Sequence, residues 1–288
     1  MTGPVVVGFD GSPASVTAAW WAAHEAADRH LPLVLLHSWT TQPLDVPIPQ
    51  EAHSKQRFGR EALERASAEL LHRHGDLALT TELVAEPAAH ALLELGESAS
   101  MLVLGSRGHG SVASFLLGSI SLHVLGLAPC PTVAVRADDP AVEAGWGHPA
   151  AADRREVAVG VQEPGATAAP LLEFAFTAAA ARGAGVRAVR ALPLTSLATR
   201  RDQDVEAEER VRLAEALAPW QEKYPDVPVT KHVATGPATE VLLTASARSC
   251  LTVVGRKRHP SHLTWKLGPV AHAALHHVPC PVAVVPHD

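Results

Sequence analysis

Aromatic side chains are scarce in this sequence, which has 288 residues but only one Tyr and five Phe. The hydrophobic share of 47% therefore comes mainly from Ala, Val and Leu, and small side chains of this kind suit helices that pack closely on sheets. Charged residues make up 19%, and this balance of apolar and charged residues excludes a disordered chain. The length favours two domains over one.

Long apolar runs and an excess of positive charge are also missing. No stretch reaches the roughly 18 consecutive apolar residues of a membrane span, and the N-terminus MTGPVVVGFDGS has no basic region ahead of its apolar run. The formal net charge of −6 supplies no field that would attract a phosphate backbone. We therefore expect neither a membrane nor a nucleic acid as the main partner.

Cysteine is rare as well, with only Cys130, Cys250 and Cys280. Three cysteines cannot all pair within the chain, and two of them lie in apolar runs that are typical of strands. We interpret all three as buried packing residues in a cytoplasmic protein.

The second half of the chain repeats the first at an offset of about 150 residues. PVVVGFD matches EVAVGVQ, LVLGSRGHG matches TVVGRKRHP, and APCPTVAV matches VPCPVAVV. Each copy is long enough to bury its own core. The sequence therefore predicts one domain over 1–137, a linker rich in Ala, Pro, Gly and charge over 138–155, and a second domain over 156–288.

Within the first copy, short runs of Val and Leu alternate with stretches of helical spacing. Such runs are typical of parallel strands covered by helices on both faces. The prediction is a five-stranded, doubly wound α/β domain, twice. Predicted strands lie at 4–10, 32–38, 79–84, 101–105 and 132–136, and predicted helices at 13–29, 52–75, 88–99 and from 119 onwards.

A doubly wound sheet binds ligands beyond the carboxyl ends of its strands, where the winding direction reverses. The loops after the first and fourth strands reach that crevice, and both are unusual. The first reads GFDGSPAS, in which Ser12 can simply cap the next helix, with Pro13 in its first turn and Asp10 shaping the bend. The second reads GSRGHGSVASFLLGSIS and predicts an anion site, with Ser119 capping the helix that follows.

Gly105, two residues, Gly108, nine residues and then Gly118-Ser119 resemble the nucleotide signature of the ATP-binding branch of the universal stress protein family. The resemblance covers nearly the whole chain as two tandem domains. It implies bound ATP, with Asp10 near the ribose and adenine and the backbone near Ser38 on the adenine. It also implies Mg²⁺ or Mn²⁺ accompanying the triphosphate. The residues expected at the nucleotide are Asp10, Gly11, Ser12, Ser38, Gly105, Ser106, Arg107, Gly108, His109, Gly110, Gly118, Ser119, Ile120 and Ser121.

The second copy departs from this pattern. Gly255 and Gly268 remain, but Gly108 is replaced by Arg258 and Ser119 by Pro269. The remaining replacements are Gln162, Glu163 and Pro164 for the first loop, and Pro260 for Gly110. We expect the second domain to bind ATP weakly or not at all, although the basic run 256–259 could still hold an anion.

The expected function is that of an ATP-binding regulatory protein. No GxSxG elbow, Walker A loop or HExxH motif is present, so efficient catalysis is not expected. Two alternatives are a slow nucleotide hydrolase on the same fold and a nucleotide-free dimerisation scaffold. Family members dimerise through edge strands, which implies an intramolecular pairing of the two domains or a homodimer.

Overall fold

The computed structural model of the chain describes residues 3–40, 49–106, 117–137, 139–143, 154–193, 202–258 and 267–288. The chain forms two compact units, Met1–Gly145 and Trp146–Asp288. No helix among the residues so described has both the length and the apolarity needed to cross a bilayer.

Strands and helices alternate strictly along the first unit. Its helix α1 begins at Pro13, because Ser12 caps it by accepting a hydrogen bond from the Ser15 amide. The elements are β1 Val5–Gly8, α1 Pro13–Asp28, β2 Leu33–Ser38, α2 Pro49–Arg73, β3 Leu79–Val84, α3 Ala88–Gly96, β4 Met101–Ser106, α4 Ser119–Leu127, β5 Thr132–Arg136 and α5 Pro140–Glu143.

All strands of the first unit are parallel, and their order across the sheet is β3-β2-β1-β4-β5. The chain winds from β1 outwards to β3 and then crosses back to β4, so the winding reverses between β1 and β4. Val5 pairs with Leu33 on one side and with Met101 on the other. The predicted doubly wound domain is confirmed, and its crevice lies between the carboxyl ends of β1 and β4.

Small and branched side chains build the core of this unit, as the scarcity of aromatics predicts. The valines of β1 are fully buried, and α1 presents a run of buried alanines to the sheet. Trp21 is the large exception, with no exposed surface. Cys130, like Cys250 and Cys280 in the second unit, is a buried packing residue.

Part of the predicted linker is packed structure. The short helix α5 lies within the range 138–155, and its Ala141 and Val142 are only 4% and 1% exposed. Asp139 begins this turn by accepting a hydrogen bond from the Ala141 amide at 3.0 Å.

The second unit has the same architecture, with a parallel order of β8-β7-β6-β9-β10. A short 3₁₀ turn, Ala166–Ala168, precedes its first long helix. The other elements are β6 Glu156–Gly160, α6 Ala169–Arg182, β7 Gly185–Leu192, α7 Asp202–Lys223, β8 Val229–Thr235, α8 Ala238–Ala245, β9 Ser249–Lys257, α9 Pro269–His277 and β10 Val282–His287.

Candidate functional site

The loop after β1 is a tight turn held by its own side chains. One carboxylate oxygen of Asp10 accepts a hydrogen bond from the Ser12 amide at 2.9 Å. Gly11 has a φ of +80°, a backbone conformation that favours glycine. The capping role of Ser12 and the bend-shaping role of Asp10 are therefore both present, and the exposed Asp10 carboxyl lies at the mouth of the crevice.

The pKa of the Asp10 carboxyl lies below its ordinary value of 3.8. Partial desolvation is the largest single influence and would raise it. Hydrogen bonds from the Ser12 side chain and amide and from Ser15, together with the nearby His37, outweigh desolvation. Asp10 therefore stays ionised and can accept further hydrogen bonds at neutral pH.

Ionised Asp10 should stabilise the fold in a pH-dependent way. A pKa that is lower in the folded than in the unfolded chain adds stability above pH 3.8, and this is lost as the pH falls through the folded-state pKa. Because the carboxyl is exposed and screened, we expect Asp10→Asn to lower the unfolding free energy at neutral pH by less than about 1 kcal/mol. Urea unfolding at several pH values should show the difference closing in acid. A difference that does not change with pH would contradict this expectation.

The Ser38 side chain at the end of β2 is engaged in the protein itself. Its hydroxyl lies 2.5 Å from the Glu86 carbonyl oxygen and 3.0 Å from that of Thr40. These contacts join the loops that follow β2 and β3. The Ser38 hydroxyl is therefore used within the protein.

His37, one residue earlier, is buried at 6% exposure. Its Nδ1 donates a hydrogen bond to the Phe9 carbonyl at 2.8 Å, which ties β2 to the loop that carries Asp10.

Gly105, at the end of β4, has a packing role that the glycine-rich pattern did not predict. A Cβ at Gly105 would overlap the backbone carbonyl of Ala14 and lie 2.8 Å from the Ser15 nitrogen. Gly105 therefore allows the first turn of α1 to pack directly on β4. Ser106, next along the strand, is buried and donates a hydrogen bond to the Val135 carbonyl at 3.2 Å.

Helix α4 is capped by Gly118, so the prediction that Ser119 caps it is wrong. Gly118 has extended geometry, with φ −63° and ψ 157°, and Ser119 is the first helical residue. A Cβ at Gly118 would have no atom of the described residues within 4 Å. Within the same part of the chain, no side chain caps this helix.

Four of the residues expected at the nucleotide lie outside the described residues, namely Arg107, Gly108, His109 and Gly110. The candidate site therefore consists here of the β1 loop, the ends of β2 and β4, and the first turn of α4.

An exposed aromatic ring at the β1 loop was missed by sequence reasoning. Phe58, on α2, is 51% exposed, and its Cζ lies 3.6 Å from where a Cβ on Gly11 would be. The available signal was a Phe on the polar face of a helix in a chain that has few aromatics. A cavity of about 260 Å³, between α1 and α2, adjoins the same loop at Phe9, Gly11 and Ala62.

Two histidine-containing clusters lie elsewhere in the chain. His272 and His276 lie on one face of α9 with ring centroids 4.3 Å apart, and within the described ranges no third ligand joins them. Glu86, His90 and Glu94 bring three ligand atoms within 4.8 Å of one another. His90 and Glu94 are exposed, and His90 Nδ1 pairs with Glu86 at 2.7 Å. The spacing of four residues was a readable signal that sequence reasoning missed.

The loop after β6 differs from the loop after β1 in backbone as well as in side chains. A 3₁₀ turn precedes α6, and Ala168 caps α6 without a side-chain bond. Strand β9 runs on to Lys257, and the Arg258 amide donates to the His287 carbonyl at 2.7 Å.

Helix α9 begins like α4 but has one amide fewer. Gly268 caps it with φ −63° and ψ 161°, and a Cβ there would also have no atom within 4 Å in the described ranges. Pro269, at the first helical position, has no N–H to donate. The replacement of Ser119 by proline therefore removes a backbone donor rather than a capping hydroxyl.

Together these features define a class of protein, one with two tandem doubly wound α/β units and a loop-and-helix crevice in the first. The sequence profile of the universal stress protein family matches residues 1–136 and 154–286, and the chain belongs to that family. It is 33% identical over 296 aligned positions to universal stress protein Rv2005c of Mycobacterium tuberculosis, covering 97% of this chain and 96% of that protein.

Solved structures show the same fold. A universal stress protein from Archaeoglobus fulgidus superposes with a TM-score of 0.75 at 19% identity, covering 99% of this chain and 98% of that one. Other universal stress proteins that overlap less than half of this chain have been solved in complex with dAMP and with cAMP.

Proposed function

We propose that the first unit binds ATP in the crevice between β1 and β4, and that the protein is a stress-response regulator whose nucleotide occupancy changes its conformation or partner binding. One observation carries the proposal. Among the described residues, no atom lies within 4 Å of the position that a Cβ would fill at Gly118, beside a helix start at which these residues provide no side-chain cap. A phosphate group fits such a position.

The first turn of α4 supplies donors to that space. Within the helix, hydrogen bonding begins with the Leu122 amide, which donates to the Gly118 carbonyl at 3.0 Å. The amides of Ser119, Ile120 and Ser121 therefore have no acceptor inside the helix. Because α4 runs back from the carboxyl edge of the sheet, these amides and the positive end of the helix dipole lie at the crevice.

The loop after β1 supplies an acceptor for the sugar. Asp10 is exposed and its pKa is lowered, so an ionised carboxylate is available to ribose hydroxyls. The same carboxylate and the hydroxyls of Ser119 and Ser121 are oxygen ligands of the kind that Mg²⁺ or Mn²⁺ prefers, and such an ion would neutralise charge on the triphosphate.

The second unit fits a nucleotide less well. Helix α9 has one amide fewer in its first turn than α4, because Pro269 has no N–H. In the loop after β6, Gln162 and Glu163 replace Asp10 and Gly11. Each lost charge-assisted hydrogen bond costs about 1.5–3 kcal/mol. Loss of two such bonds weakens ATP binding by a factor of more than about 100.

Calorimetric titration of the full chain tests this asymmetry. We expect about one ATP per chain, because only the first crevice has the full set of donors. Gly268→Val, which fills the open space in the second unit, should leave this stoichiometry unchanged and serves as the control. Binding of two ATP molecules with similar affinity would show that the second crevice is intact and would contradict the proposal.

Regulation by ATP has a thermodynamic requirement. Occupancy changes conformation or partner binding only when ATP binds one state of the protein more tightly than another. The first turn of α4 is a suitable place for such a difference, because a bound anion would accept hydrogen bonds from amides that have no acceptor inside the helix.

A further inference from the structure

Two exposed apolar side chains flank the proposed ATP crevice. Among the described residues, four large hydrophobic side chains are exposed, and two of them, Phe58 at 51% and Ile120 at 44%, belong to this region. Ile120 is in the first turn of α4, and Phe58 lies beside the loop after β1. The other two are Leu71, near the end of α2, and Val211 in the second unit.

The position of Phe58 is set by the residue that follows it. A Cβ on Gly59 would lie 2.5 Å from His37 Cδ2 and 2.9 Å from Leu83 Cδ1. Helix α2 therefore packs tightly against the ends of β2 and β3 at this point. The Phe58 ring lies 6.4 Å from the His37 ring, with an interplanar angle of 60°. Because its helix is held in this way, the ring has a defined place at the carboxyl edge of the sheet.

Phe58 also lies next to the turn that carries Asp10. Its Cζ and Cε1 are 3.6 and 3.8 Å from the Cβ position of Gly11. Because this turn and α2 lie close together, the apolar ring of Phe58 lies beside the turn whose Asp10 carboxylate we propose as the acceptor for the ribose hydroxyls. A ring face that remains exposed next to a sugar site is placed to meet the base of the same nucleotide.

The second unit has charged residues at the equivalent positions. Hydrogen bonds from the His74 and Leu77 amides close the turn after α2. Hydrogen bonds from the Tyr224 and Val227 amides close the turn after α7 in the same way. This match aligns Phe58 with Glu208.

The equivalent of Gly59 is then Glu209, which pairs with Arg190 at 3.1 Å and with Arg212 at 3.0 Å. Arg212 also reaches Glu208 at 2.9 Å. At these positions the aromatic ring occurs in the copy that keeps the full glycine signature, and an ion-pair network replaces it in the other.

We propose that Phe58 stacks against the nucleotide base and makes the first crevice select purine over pyrimidine nucleotides. This inference rests on the proposed binding of ATP by the first unit. Stacking of a base on an aromatic side chain tolerates different bases, but the larger purine covers more of the ring. Exposure of half of an aromatic side chain is unfavourable in the empty protein, and a bound base removes that exposure.

The test compares variants of the full chain with two probes, ATP and inorganic tripolyphosphate. We expect Phe58→Ala to weaken ATP binding about 5- to 100-fold and to leave tripolyphosphate binding unchanged, because only ATP carries a base. Phe58→Trp should keep ATP affinity, and the wild type should bind ATP more tightly than CTP. Leu71→Ala, an exposed apolar residue on the same helix, is the matched control and should change nothing.

The outcomes separate this inference from the proposed function. If the wild type binds ATP and Phe58→Ala binds it equally well, the stacking role is overturned while the ATP site stands. If Phe58→Ala weakens ATP and tripolyphosphate equally, the residue acts through the fold, and the stacking role is again overturned. Absence of ATP binding by the wild type overturns both proposals. Phe58→Leu, which keeps an apolar side chain of similar size, gives the same comparison if the Ala variant does not fold.

Discussion

Gly118→Val should abolish ATP binding while the protein remains folded. The backbone of Gly118 is extended, with φ −63° and ψ 157°, a conformation that β-branched residues favour. No atom of the residues that the structure describes lies within 4 Å of its Cβ position, so these residues leave room for the isopropyl group. That group would occupy the space in which we place a phosphate.

The expected loss is large because the valine blocks access to more than one amide. Two charge-assisted hydrogen bonds at about 1.5–3 kcal/mol each correspond to a loss of at least about 100-fold in affinity. Calorimetric titration with ATP measures the loss, and thermal unfolding without ligand checks the fold. We expect little change in melting temperature.

Gly268→Val in the second unit is the matched control, because Gly268 has the same backbone geometry and the same open space. It should leave ATP binding intact. If Gly118→Val bound ATP as the wild type does, the phosphate site would not be at this helix.

Gly105→Ala should have the opposite pattern, a loss of stability rather than a direct loss of ligand contacts. Its Cβ would overlap the Ala14 carbonyl, and helix backbone cannot rotate away as a side chain can. Overpacking of this kind costs about 1–3 kcal/mol. The first turn of α1 would have to move off β4 and take Ser12 with it.

Gly255→Ala provides the comparison in the second unit. A Cβ at Gly255 would meet His287 ring atoms at 2.7 and 2.8 Å and a Leu171 methyl at 3.1 Å. These are side-chain atoms, and a small rotation of the His287 ring relieves the two closest contacts. We expect a cost below about 1 kcal/mol.

Urea unfolding of both variants should therefore show a clear loss for Gly105→Ala and a small one for Gly255→Ala. Because a chain of two units need not unfold in one step, fluorescence and circular dichroism should both be followed. Equal losses of unfolding free energy in the two variants would contradict this expectation. They would mean that a clash with the backbone of α1 costs no more than a clash with movable side chains.

Element order was predictable from the sequence because it depends on local periodicity. The predicted strands 79–84 and 132–136 coincide with β3 Leu79–Val84 and β5 Thr132–Arg136. Continuous apolar runs indicated a parallel sheet with covered faces, and the repeat indicated two units. Helix α4 begins at Ser119 as predicted, but Gly118 caps it, since Ser and Gly both occur at helix starts and neighbouring residues compete for the cap.

Roles that depend on partners distant in the chain were not predictable. The cluster of glycines indicated a ligand, but Gly105 is required by Ala14 from α1, about 90 residues earlier. The Ser38 hydroxyl is used by the Glu86 carbonyl. Phe58 becomes a candidate only because α2 packs it beside Gly11.

By itself, the sequence determined the alternation of strands and helices, because this follows from residue patterns over a few positions, and the duplication with its differences, because the two halves can be compared residue by residue. Only the tertiary structure decided which glycine lies against a helix, as Gly105 does, and which has no described atom beside it, as Gly118 has none. The reason is physical: a missing side chain looks the same in both cases, and its purpose depends on what the folded chain brings within about 4 Å of it.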